Sequence, residues 1–382
     1  MKKRFFSVVS FLLLVTFSAS ALEWGGLVKN NTDVKTLDFE EYGISQDEEL
    51  YIWGKVPFGK QSPFSLVGEL VYKGIFDFDN NGLSTMENII DVDIFKIAGN
   101  IEVGQASSIN MSLGRFYVSD STRKLFSQLI DGGQMTFSFP WIGLSFFGGF
   151  TGFINSHVTP MMEADGIVLK PNSILYSVNI PYLVGQAKIE FPYFMGNTLS
   201  LEALGFFDTR DFEISRYFGE LSISGPLNNS VFYKFDTIVG FNNSLEFSNY
   251  TNLTYFSYPF SFMMINFGVE YASGKIGPLN PFYPVTSQVA CSANSHPALS
   301  GVLIPNAAIT ISTGSFYTSI GGKFLFSWPD NTFTPSGGEL SLMSQFNILS
   351  DIKVNISVDG YYDITGGGET NYSASLGTAI SL

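Results

Sequence analysis

Residues 231–241 read Val-Phe-Tyr-Lys-Phe-Asp-Thr-Ile-Val-Gly-Phe. Successive side chains of an extended chain point to opposite faces. Val231, Tyr233, Phe235, Thr237, Val239 and Phe241 therefore share one face, and Lys234, Asp236 and Gly240 lie on the other. The pattern recurs from Met263, where Met263, Ile265, Phe267, Val269 and Tyr271 oppose Asn266, Gly268, Glu270 and Ala272. Near the end, Ile352, Val354, Ile356, Val358 and Tyr362 alternate with Lys353, Asn355, Ser357, Asp359 and Asp363. Similar alternation holds over 64–76, 185–192, 214–224, 316–327, 338–348 and 372–382. Each stretch is a strand with one apolar and one polar face.

Composition agrees. In 382 residues, 38 Phe, 18 Tyr and 4 Trp outnumber the 20 basic and 34 acidic side chains together. A disordered chain needs high charge and few aromatics. The 38 Gly and 16 Pro are spread along the length and punctuate many short elements, an all-β pattern. A formal charge of −14 without a basic stripe excludes nucleic acid as a partner class. A single cysteine, Cys291, rules out an intramolecular disulfide.

The N-terminus reads as an export signal over residues 1–21. Lys2, Lys3 and Arg4 precede an apolar run from Phe5 to Phe17, and Ala19-Ser20-Ala21 supplies a small-x-small cleavage pattern. The mature chain, 22–382, would carry 17 basic and 34 acidic residues, a net charge of −17. It contains no second apolar stretch of helix-spanning length.

Amphipathic strands build either a soluble sandwich or a membrane barrel. A sandwich turns its apolar face inward and keeps a charged exterior. Here the polar face is mostly Ser, Asn, Gly and Thr with isolated charges, and aromatics such as Phe64, Tyr72, Phe241, Phe324 and Tyr362 sit toward strand ends. That suits a lipid-facing band with aromatic girdles. Many candidates run to ~9–12 residues, enough to cross a bilayer when tilted. The expected fold is an all-β, antiparallel transmembrane β-barrel.

A linear pass finds 19 strand candidates, an odd total that single-chain bacterial barrels avoid. Long connections at 30–49, 77–91, 119–133 and 154–173 alternate with short links from one end, and 274–305, 328–337 and 365–370 do so from the other. The two halves disagree by one pass, so the error falls between 174 and 273. The expectation is about 18 strands, within a range of 16–20.

The whole mature chain resembles bacterial outer-membrane porin-like β-barrels in its signal, amphipathic strands, aromatic ends and terminal strand. The ending Tyr372 to Leu382 looks like the C-terminal insertion signal of that class, departing from it in Leu382 where an aromatic is typical. The Phe- and Asn-rich, acidic style is similar to that of spirochaete barrels.

The resemblance implies outer-membrane localisation and a passive channel for small hydrophilic solutes, not an enzyme. The rival reading is a non-conducting receptor or adhesin acting through long outer loops such as 154–173 and 274–305. Expected partners are membrane lipid, the solutes and, as a homo-oligomer, further copies of the chain. Pore-lining candidates are Glu69, Lys73, Lys188, Glu190, Glu202, Arg216, Glu220, Lys234, Asp236, Glu270, Lys323, Lys353 and Asp359. A short helix is expected within 119–133, from the spacing of Leu125 with Leu129 and Phe126 with Ile130. Arg115, Arg123 and Lys124 beside it are candidates for a loop constriction.

Asp77-Phe78-Asp79-Asn80-Asn81-Gly82 matches the first half of a calcium loop, with Asp77, Asp79 and Asn81 at the ligand positions. The twelfth position is Asn88 rather than an acid, so an Asx-rich turn is the competing reading and Ca2+ the only cofactor considered. Cys291 and His296 share the 274–305 stretch without a further base or orienting partner, which argues against a thiol catalyst.

Overall fold

A computed structural model describes residues 22–37, 41–79, 82–159, 161, 173, 175–211, 215–275, 280, 282, 300–328, 333–365 and 370–382. The expected export signal, Cys291, His296 and Asn81 lie outside these residues.

The chain forms 18 strands in one antiparallel sheet. They are β1 (Glu23–Leu37), β2 (Glu41–Pro57), β3 (Phe64–Asp79), β4 (Gly82–Glu102), β5 (Ser108–Ser119), β6 (Ser127–Ser138), β7 (Gly143–Phe150), β8 (Tyr182–Phe194) and β9 (Asn197–Asp208). The second half comprises β10 (Arg216–Pro226), β11 (Val231–Asn242), β12 (Phe247–Phe260), β13 (Met263–Ala272), β14 (Val302–Ser312), β15 (Phe316–Ser327), β16 (Thr334–Leu349), β17 (Ile352–Asp363) and β18 (Asn371–Ser381). Each strand pairs with its sequence neighbours, and β1 closes on β18 from Leu27↔Ser381 to Leu37↔Asn371. Closure leaves no open sheet edge in lipid, where an unpaired backbone group has no water to bond.

The alternation orients the wall. Phe267, Ile320 and Leu340 are 58 %, 58 % and 72 % exposed on the outer face. Their strand neighbours of opposite parity, such as Glu270 and Glu339, are buried inside. The odd-numbered gaps between strands are the loops of one rim; the even-numbered ones are short turns such as 195–196, 261–262 and 350–351 at the rim holding both chain ends.

Three expectations are corrected. Residues 174–181 form no strand; Val178 makes only an isolated bridge with Asn155. That leaves six strands, β8–β13, in the region where the count failed. Most of 30–49 and 77–91 is strand rather than loop: β1 pairs with β2 out to Leu37↔Glu41, and β3 with β4 out to Asp79↔Gly82. Polar side chains at both alternating positions there, in a rim bathed by water, hid the period. Finally, no helix forms in 119–133. Residues 120–126 are a loop and 127–133 belong to β6. Phe126, Gln128 and Ile130 bury at a spacing of two, which outweighs the i, i+4 pairs.

Candidate functional site: the interior of the barrel

The thirteen charged residues singled out from the alternation all fall on inward-facing positions. Glu69 and Lys73 are on β3, Lys188 and Glu190 on β8, Glu202 on β9, and Arg216 and Glu220 on β10. Lys234 and Asp236 are on β11, Glu270 on β13, Lys323 on β15, and Lys353 and Asp359 on β17. Register brings several together across strands: Lys188 faces Glu202, and Glu202 faces Glu220. Lys234 pairs with Asp236 at 2.9 Å, Lys188 with Glu190 at 3.1 Å, and Lys323 with Glu339 at 3.2 Å.

A loop divides this interior. Residues 120–126 leave β5 and run inward, held in shape by one carboxylate. Asp120 accepts the backbone N–H groups of Thr122 (3.0 Å), Lys124 (3.3 Å), Leu125 (3.2 Å) and Phe126 (2.6 Å). Such charge-assisted bonds are about twice as strong as neutral ones. The Ser121 N–H donates to Glu202 Oε2 at 2.9 Å, and Gln186 donates to Glu202 Oε1 at 2.6 Å. Lys124 reaches further, its Nζ 3.4 Å from Glu270 Oε1 and 5.9 Å from the centre of the Tyr250 ring. β5 and β13 stand eight strands apart in a ring of 18, so the loop spans nearly the full width of the barrel.

Around the loop the interior is packed, although Lys188, Glu190 and Lys234 on β8 and β11 stay open to water. Leu125 and Phe126 are fully buried, with Phe126 at 5.6 Å from Phe206, edge to face. Phe206 in turn meets Phe218 at 6.1 Å, and Phe218 meets Phe282 at 5.6 Å. The connection after β7 adds Ile154, Met161 and Ile180 to the same cluster. This packed sector extends from β5 to β15.

The remaining sector, β16–β18 with β1–β4, is wet. Lys29, Lys73 and Lys323, at its edge, keep 43 %, 29 % and 25 % of their side-chain surface exposed, and Lys353 is exposed. Its charges form exposed pairs: Lys73 lies 3.0 Å from Asp47 and 3.4 Å from Glu49, and Lys29 lies 3.7 Å from Glu49.

The loop-constriction candidates separate. Lys124 is the residue that crosses the lumen. Arg123 is exposed, in the left-handed conformation at φ 58°, and makes no side-chain hydrogen bond or ion pair among the described residues. Arg115 does not belong to the loop. Pairing of β4 with β5 stops at Phe95↔Arg115. Arg115 fills the seam above it, bonded to Asp131 at 2.9 Å, to the Val92 carbonyl at 3.1 Å and to the Phe153 carbonyl.

Asp77 and Asp79 sit near the end of β3. The Asp77 carboxylate accepts the hydroxyls of Ser45 (2.7 Å) and Thr85 (2.6 Å), and Asp79 pairs in register with Gly82. Asn88 accepts the Tyr72 hydroxyl at 2.7 Å. Among the described residues, no group of three His, Cys, Asp or Glu side chains is arranged to hold a metal ion.

Sequence reasoning missed Asp47, Glu49 and Asp91 because 30–49 and 77–91 were read as loops, and it passed over Asp93 at the start of the strand candidate 92–103. A signal was present in Asp91-Val92-Asp93, which alternates in twos, but not in Asp47-Glu48-Glu49-Leu50-Tyr51. Asp120 accepts backbone amides as a helix cap does, but around a loop.

No protein-family profile and no curated protein matches the chain. Solved structures do. OpdQ of Pseudomonas aeruginosa superposes with a TM-score of 0.65 at 8% identity, covering 95% of this chain and 99% of its own. The outer membrane protein OpdK of the same organism gives 0.62 at 9% identity, over 95% and 99%. OccK2 (OpdF) of P. aeruginosa in complex with glucuronate gives 0.62 at 10% identity, over 95% and 98%. At these identities the likeness establishes the fold. None of the three is a spirochaete protein, so the stylistic resemblance gains no support from them.

Proposed function

We propose that the chain is an outer-membrane channel through which small hydrophilic solutes diffuse passively. The observation that carries this reading is the division of the interior. Charged and polar side chains line a solvent-accessible sector, while the rest is closed by a loop that crosses the lumen. A barrel of this strand number is wide enough to leave an aqueous path, and an inserted loop narrows it to the size of a small molecule. The fold shared with an outer membrane protein, and with a barrel solved around the small sugar acid glucuronate, supports the same reading. The water-accessible charges of the interior, such as Lys29, Lys73, Lys323 and Lys353, then line the path, and Lys124 with its loop forms the constriction. No reaction is assigned.

The test is single-channel recording from the folded protein in a planar bilayer. Stable open steps that grow when loop 120–126 loses its anchors are expected. A folded barrel that shows no steps, with the loop anchored or released, overturns the channel.

A further inference from the structure

One stretch of the wet sector's wall gathers more acids than bases: Asp47, Glu49, Glu69, Asp91 and Asp93 against Lys29, Lys73 and Arg115. In the β3–β4 pairing, Glu69 faces Ile94 and Leu70 faces Val92, so Asp93 is the extra residue of a β-bulge. Bulges re-aim side chains, and this one turns Asp93 inward beside Asp91, which already occupies an inward position. Asp93 is 9 % exposed, and its Oδ1 has no hydrogen-bond partner among the described residues. Glu69, directly before the bulge on β3, makes no hydrogen bond or ion pair among them. Both lie within electrostatic reach of Tyr51 and of each other, and Asp93 also of Glu49.

The same wall shows what it accepts. The ammonium of Lys29 stands 4.4 Å from the centre of the Tyr51 ring and 3.7 Å from Glu49 Oε2. The Tyr51 hydroxyl donates to the same Glu49 oxygen at 2.8 Å. An aromatic face with a carboxylate beside it is the arrangement that binds an organic ammonium. Asp47 and Glu49 are matched by Lys73 and Lys29, and Asp91 by Arg115 at 3.5 Å. Glu69 and Asp93 have no ion pair of their own among the described residues; Lys29 and Arg115, already paired with Glu49 and Asp91, act on them only from a longer range.

We propose that Glu69 and Asp93, with Tyr51, form a binding site for small organic cations bearing a primary ammonium or guanidinium group. The site rests on the channel reading above and names the class of solute that the channel favours. An extended cation with several N–H donors spans the carboxylates from Glu69 to Asp93 and lays its apolar part against Tyr51. A compact metal ion has no triad of acids there to hold it. The solute exchanges its hydration for these groups and leaves again along the paired charges of β1–β3. No bond is made or broken.

The full-length barrel in a planar bilayer under a KCl gradient supplies the test, with n-butylammonium and butyrate as probes. K+ is expected to permeate about tenfold better than Cl−, the scale of counter-ion enrichment in a charged cleft. Butylammonium is expected to interrupt the K+ current, and butyrate to leave it unchanged. The double variant Glu69→Gln/Asp93→Asn should weaken that block about tenfold, whereas Asp351→Asn, in the short turn between β16 and β17, should leave it as it was. Heat-modifiable gel mobility establishes that each variant is a folded barrel; if the double variant fails, the two single variants replace it.

A channel that conducts KCl but favours Cl−, or that butyrate blocks equally, overturns the proposal while the channel stands. Block undiminished in the carboxylate variants overturns the site. If the barrel conducts nothing, the channel reading fails. Calorimetric titration of butylammonium into the folded protein in detergent then decides the site alone: binding lost in the double variant supports it, and absence of binding in the parent overturns it.

Discussion

The two sectors of the barrel's interior are built from the same kind of strand and end in opposite states. On β9–β13, inward positions hold Glu202, Glu220, Asp236 and Glu270, all nearly inaccessible, among Phe206, Phe218, Ile238 and Tyr250. On β1–β3 and β15–β17, inward positions hold Lys29, Glu49, Lys73, Lys323 and Asp359, and water reaches them. Strand pattern alone does not produce the contrast. It follows from where loop 120–126 and the connection after β7 come to rest. A loop that brings Leu125, Phe126, Ile154 and Met161 inward turns a polar wall into a packed core, and the charges caught beneath it must then be paired or bear the cost.

Four changes test that contrast, and the largest effect is expected at the loop's hub. Asp120→Ala removes an acceptor shared by four backbone amides of a buried loop, and each amide left unsatisfied costs about 1–3 kcal/mol. The loop should detach and the packed sector should flood, seen as a several-fold rise in single-channel conductance and a lower urea midpoint. An unchanged conductance would mean that the loop does not limit the path.

Next in size is Lys124→Met, which takes the ammonium away from Glu270 on the opposite wall. Removing one partner of a buried pair costs about 3–5 kcal/mol. Adding Glu270→Gln should restore most of the lost stability in a double-mutant cycle; no restoration would break the argument that this pair ties the two walls together.

Glu220→Gln is expected to act in the opposite direction. Both Glu220 oxygens are buried, the Thr122 backbone N–H is within reach without forming a well-aligned hydrogen bond, and Asp120, Glu202 and Asp236 stand nearby. Replacing this carboxylate with a neutral amide should raise the urea midpoint, by about 1–3 kcal/mol on the scale of an unsatisfied buried group. A destabilised variant would show that the buried charge serves the packing.

The smallest effect belongs to the wet sector. Lys29→Ala removes a water-accessible ion pair worth about 0–1 kcal/mol. Stability should hardly move, while the K+/Cl− permeability ratio rises. A large loss of stability would erase the distinction between the sectors.

Much of the barrel was legible in the residues. Period-two alternation in 231–241, 263–272 and 352–363 marked those strands, and there and in the other alternating stretches it put the thirteen charges on the polar face. The contrast between short turns and long loops exposed a miscount and located it between 174 and 273. Legibility failed where water bathes both faces of a strand. The outer ends of β1–β4 carry Asn30, Asn31, Asp47, Glu48 and Asn88 without strict alternation, because no apolar solvent enforces it there. Failure at 174–181 had the converse cause: Tyr176, Val178 and Ile180 alternate with Ser177 and Asn179, but Ile180 buries its face in the loop plug rather than against lipid.

For the candidate site, the residues of the polar face were readable and their company was not. Nothing in the order of the chain announces that Lys124 meets Glu270, 146 positions later, or that a bulge sets Asp93 beside Asp91. By itself the sequence determined a closed, lipid-facing antiparallel barrel, because lipid demands an apolar outer face at every second residue and pairs every backbone group. Which part of the interior is packed and which is wet was decided only in the tertiary structure. That outcome depends on where a loop with no periodicity of its own settles, a balance of long-range aromatic packing, buried ion pairs and one carboxylate folding the loop around itself.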